Sequence, residues 1–115
     1  MRLRTVSAAG VFAAIPLLPL RAGPAFASDV CPIVRESCVS CHGPKKQMGG
    51  FRADVHDDYL RRSGSGPLVV PGDSASSRLV QLLSGAIRTK RSPEEHRLPP
   101  GQLAVVRAWI DSGAK

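Results

Sequence analysis

Apolar positions are continuous near the start of the chain and become periodic from residue 29 onward. Val30, Ile33, Val34, Ser37, Cys38 and Cys41 recur at helical spacing, which predicts a helix from Cys31 to His42. Asp29 is placed to cap it, Pro32 falls in its first turn, and Gly43-Pro44 stops it. Lys45 to Asp54 reads as a loop turning at Gly49-Gly50. A short helix is predicted from His56 to Arg62, with Asp54 as its cap and Val55, Tyr59 and Leu60 inward. Ser63 to Pro67 begins a second loop, and Leu68-Val69-Val70 is too short for a strand, so it is expected to seal one edge of the core. After the Pro71-Gly72 turn, Asp73 or Ser74 caps a helix to Ser84, burying Leu79, Val80, Leu82 and Leu83 and ending at Gly85. Ile87 to Leu98 is polar and basic. The last helix opens at Pro99-Pro100, runs through Leu103, Val106, Trp109 and Ile110 to Ser112, and closes at Gly113. Four helices and no strand make the fold class all-α.

The continuous stretch, Thr5 to Leu20, is uncharged and follows Arg2 and Arg4. With Ala25-Phe26-Ala27 behind it, residues 1–27 read as a secretory signal cleaved after Ala27. The run is shorter than the ~20 residues a membrane span needs, holds Pro16 and Pro19, and is followed closely by Arg21. No later stretch is apolar enough to span, so an exported product without a membrane span is expected.

Removing 27 of 115 residues leaves 88, residues 28–115, enough for one small domain. A domain of that size is marginal in apolar burial, so a large apolar cofactor at its centre makes physical sense. An aromatic content of 4 % points the same way. The leader carries three of the sixteen basic residues and none of the nine acidic ones, so the formal charge of +7 falls to +4. That surplus is too small to indicate nucleic acid. Arg88, Lys90 and Arg91 read as a solvated loop, with steering of an acidic partner as the competing reading.

The chemistry concentrates in Cys38-Val39-Ser40-Cys41-His42. Two cysteines two residues apart, followed directly by histidine, form the attachment pattern for one covalent haem c. Each thiol adds to one vinyl group of the porphyrin, and a helical turn sets the 38 and 41 side chains on one face. His42 then supplies the proximal imidazole to iron. A redox dithiol would want a flanking strand–helix–strand unit, which is missing. A zinc site could recruit Cys31, Cys38, Cys41 and a histidine, but adjacent Cys41 and His42 can hardly turn to one tetrahedral metal. A disulfide across two intervening residues would be strained. Cys31 is the odd cysteine, read as a small buried hydrophobe in preference to an intermolecular link.

With these residues in view, the region 29–114 resembles the small planctomycete-type c-type cytochrome domain. Gly49-Gly50-Phe51-Arg52-Ala53-Asp54 is similar to its Gly-Gly-Leu-Arg-Leu-Asp, and Ser65-Gly66-Pro67 through Val70-Pro71-Gly72 to its Ser-Gly-Pro and Val-Pro-Gly stretch. Trp109-Ile110-Asp111-Ser112-Gly113-Ala114 matches its closing Trp-Ile-Asp-x-Gly-Ala. The resemblance implies a cytochrome c fold of about four helices around one haem, with the first and last helices crossed. It also implies periplasmic electron transfer, with a dehydrogenase or oxidase chain as redox partner.

One departure concerns the sixth iron ligand, which the family supplies from a Met-Pro-Pro segment before the last helix. Leu98-Pro99-Pro100 looks like that segment with leucine substituted. Counting back from Trp109 places the position instead on Arg91-Ser92-Pro93, the preferred register. Neither leucine nor protonated arginine offers iron a lone pair. An open or weakly ligated site is therefore ranked first, His96 second and Met48 third, with His56 also open. The open site carries the alternative function, a ligand-binding haem sensor or peroxidase-like protein. The leading reading is electron transfer without catalysis.

Overall fold

A computed structural model describes residues 2, 5, 7–16, 23–63, 66–87 and 96–115. The loop of Arg88, Lys90 and Arg91 and the Arg91-Ser92-Pro93 stretch lie outside the described residues. Residues 7–16 are exposed and without regular structure. A π-helical turn, Phe26–Val30, leads directly into α1, Cys31–Ser37. The Asp29 carboxylate accepts the Ala25 N–H at 2.8 Å, so it caps this earlier turn and not the start of α1. After Met48–Gly50, a 3-10 turn, come α2 (His56–Leu60), a two-residue antiparallel pair of β1 (Arg62–Ser63) with β2 (Gly66–Pro67), α3 (Arg78–Leu83) and α4 (Pro100–Asp111).

The first helix stops at Ser37, five residues short of His42. Cys38 leaves helical geometry with φ −122°, and both the Cys38 and Val39 N–H groups converge on the Val34 carbonyl. The helix thus widens before the motif, which continues as a hydrogen-bonded turn. The pair β1–β2 is too short for periodicity to reveal. In the segment before α3, Ser77 turns its hydroxyl to the Asp73 carbonyl and accepts the Val70 N–H at 2.9 Å. Its side chain is thereby committed to the preceding loop, and α3 begins only at Arg78.

The core gathers Phe26, Val30, Ile33 and Val34 from the N-terminal segment, Tyr59, Val69, Val80, Leu83 and Leu98 from the middle, and Val106, Trp109 and Ile110 from α4. Helix α4 packs chiefly against the Phe26–Val30 turn and α3. Trp109 is fully buried, its ring centre 5.5 Å from Phe26, 5.6 Å from Tyr59 and 6.0 Å from His56. The Tyr59 and His56 rings meet it edge to face and the Phe26 ring is tilted against it, and edge-to-face pairs at these separations attract beyond their buried area. Val69 seals the core as expected, donating its N–H to the Tyr59 carbonyl. Among the described residues no helix is long and apolar enough to cross a membrane.

Candidate functional site

The motif turn is held by two bonds onto the Cys38 carbonyl, from the Cys41 N–H at 3.2 Å and the His42 N–H at 2.9 Å. Gly43 closes it, because a Cβ there would collide with the carbonyl and side chain of Val39. The following loop then folds back on the motif. Met48 donates its N–H to the Cys41 carbonyl at 3.0 Å, and Ala53 donates to the His42 carbonyl at 2.7 Å. Gly49 and Gly50 both take φ +69°, a left-handed conformation that glycine adopts without strain.

This return fixes the His42 ring. Its Nδ1 lies 2.8 Å from the Met48 carbonyl oxygen. A carbonyl only accepts, so Nδ1 carries a proton, and in the neutral ring the lone pair falls on Nε2. Metal-binding imidazoles are commonly oriented by such a bond on the other nitrogen. Phe51 packs against the ring with centres 5.6 Å apart.

His42 and Cys38 open onto a cleft of about 420 Å³ between the motif loop and α3, within the range of small-molecule and cofactor sites. Leu79, Leu82 and Leu83 form one wall, and Leu68 and Phe51 continue it. Met48 and His96 also line this space, as do Asp58, Arg61 and Arg78. Burial pushes the Cys38 thiol pKa above its ordinary value, which keeps it protonated. Cys41 is exposed and does not line the cleft; its Sγ lies 3.9 Å from the Ser40 hydroxyl. Cys31 is half-buried against the core and forms no disulfide. His56 is engaged elsewhere, with Nε2 2.6 Å from the Ala114 carbonyl oxygen and its ring against Phe26 and Trp109.

The cleft also uses residues the sequence left unassigned. Arg61 bonds the Gly50 carbonyl at 3.1 Å and pairs with Asp58 at 3.2 Å. Arg78 sits on the α3 face shared by Leu79 and Leu82, a juxtaposition that 3.6-residue periodicity does contain. The neighbouring Arg52–Asp54 pair orders the loop entry: the hydrogen bond from Arg52 holds the Asp54 carboxyl below its usual range. Among the described residues no three histidine, cysteine or acidic side chains converge to form a metal cage. An iron here would need a cofactor's own donors, and an apolar cleft lined by Cys38 and an oriented imidazole fits such a group, while Cys41, expected on the same face as Cys38, lies on the exposed side of the turn.

No curated protein and no solved structure matches the chain. A family model described as Planctomycete cytochrome C matches residues 38–95, from the first cysteine of the motif through α2 and α3 to the edge of His96. That match spans just over half of the sequence, and the chain belongs to the Planctomycete cytochrome C family.

Proposed function

We propose that the chain is an exported monohaem c-type cytochrome that carries single electrons between redox proteins. The observation that carries the reading is the His42 ring, which lines the cleft with its Nδ1–H committed to the Met48 carbonyl, so that Nε2 is the nitrogen available to a metal. Cys38 and Cys41 would hold the porphyrin through thioethers, each thiol supplying the S–H that adds across one vinyl double bond. Bound there, the haem supplies a ferric–ferrous couple.

The protein's own part is binding, orientation and water exclusion. Leu79, Leu82, Leu83 and Phe51 keep the site apolar, which limits the reorganisation that accompanies a change of charge. Arg61 and Arg78 supply cations suited to the propionate carboxylates. The N-terminal leader directs export, and the partner is a periplasmic dehydrogenase or oxidase chain. Family membership, together with the motif, supports electron transfer over catalysis.

The test is the absorption spectrum of the exported protein, oxidised and reduced, during a redox titration. Reversible one-electron cycling of a c-type haem spectrum, at one haem per chain, is the expected result. A protein recovered without haem bands from a host that matures c-type cytochromes would end the reading.

A further inference from the structure

Of the candidates for the sixth coordination position, His96 is the histidine that shares the cleft with His42. Its ring centre lies 6.3 Å from that of His42, although 54 positions separate the two in sequence. Two metal–nitrogen bonds of about 2 Å, plus about 1 Å from nitrogen to ring centre on each side, span about 6 Å. Both rings line the same cleft. The Nδ1 atom of His96 is buried and has no hydrogen-bond partner among the described residues. A buried polar atom without a partner is costly in a native fold and calls for a ligand.

The backbone holds His96 in that position. Two residues on, Leu98 is buried and donates its N–H to the Leu83 carbonyl at 3.1 Å. Between them Arg97 lies over Gly85, where a Cβ would press against the guanidinium. The chain carrying His96 is therefore pinned to the end of α3, whereas His42 is held from the motif loop. Met48 is in a different situation, because its N–H and C=O both bond the motif, to Cys41 and to His42. Its backbone is thereby held on the same loop as His42. His56 is bonded to the Ala114 carbonyl and does not line the cleft.

We infer that His96 is the second axial ligand of the iron, opposite His42. The inference rests on the haem reading above and replaces an open sixth position with a bis-imidazole one. It gives the chain a closed iron suited to electron transfer, and substitution of imidazole for thioether places its potential below that of a methionine-ligated relative.

The experiment uses the mature holoprotein, with haem content measured first so that loss of haem is scored separately from loss of a ligand. The wild-type protein is expected to be six-coordinate and low-spin in both oxidation states, with a ferric near-infrared charge-transfer energy of a bis-imidazole pair and no rapid carbon monoxide binding. In His96→Ala the low-spin signature is lost and carbon monoxide binds on mixing, while covalent haem is retained; added imidazole restores the low-spin spectrum. His96→Met is expected to stay low-spin with a raised potential. A wild-type protein that is high-spin and binds carbon monoxide at once overturns the assignment. So does a methionine-type near-infrared band abolished by Met48→Ala, or an unchanged low-spin spectrum in His96→Ala. Should His96→Ala fail to accumulate, the wild-type near-infrared spectrum decides alone.

Discussion

Replacing both Cys38 and Cys41 by alanine is expected to abolish all haem that survives denaturing electrophoresis. On the proposed reading only two thioethers would resist denaturant, whereas a bond from His42 would release the porphyrin once the fold is lost. The structure gives the two sulfurs different surroundings: Cys38 lines the apolar cleft with a raised thiol pKa, while Cys41 is exposed. Either single substitution leaves at most one thioether and sharply lowers holoprotein yield. Haem staining of the denatured double variant at wild-type intensity would show that attachment lies elsewhere.

Trp109→Ala is expected to destabilise the protein by about 3–5 kcal/mol, the cost of removing a large buried ring. Trp109 is 0 % exposed, touches the rings of Phe26, Tyr59 and His56, and donates its indole N–H to the Lys115 carbonyl at 2.8 Å. Truncation opens a cavity at the junction of α4 with the N-terminal turn and removes one of the two N–H donors on that carbonyl, leaving it the Phe26 N–H at 3.1 Å. For a domain of this size, the loss corresponds to a fall in melting temperature of well over 10 °C, at about 4–8 °C per kcal/mol. Denaturant titration of the holoprotein measures it. A loss below about 1 kcal/mol belongs to a surface residue and would contradict the burial described.

What could be read without coordinates was local. The last helix was legible because Val106, Trp109 and Ile110 repeat at helical spacing and Gly113 ends it with φ +115°. The motif announced its chemistry through spacing alone. Boundaries failed where a side chain served another part of the fold: Ser77, committed to Val70 and Asp73, delayed α3, and the Val34 carbonyl, shared by two N–H groups, ended α1 early. The contact of His42 with His96 was only partly legible. It is a long-range contact between two loops, and no periodicity connects positions 42 and 96. The sequence left His96 as one candidate beside an open iron, and the structure sets the two ring centres 6.3 Å apart.

Phe26 carries a consequence for how the chain is matured. An apolar residue at the end of an apolar leader reads as part of what is discarded, and the Ala25-Phe26-Ala27 pattern favours a cut behind it. In the fold its ring is 8 % exposed and lies 5.3–5.5 Å from His56, Tyr59 and Trp109. A signal peptidase acting after Ala27 would remove a wall of the aromatic cluster. Gly23 and Ala25 offer the same spacing of small residues two positions earlier, and a cut between Ala25 and Phe26 spares the ring. It gives up the bond between Asp29 and the Ala25 N–H but keeps the Phe26 nitrogen beside the Lys115 carbonyl, 3.1 Å away. The intact mass of the exported protein is accordingly expected to begin at Phe26; a start at Ser28 would mean that the core closes without it. Phe26 then marks where the core begins, and the mass of the exported protein reads which bond was cut.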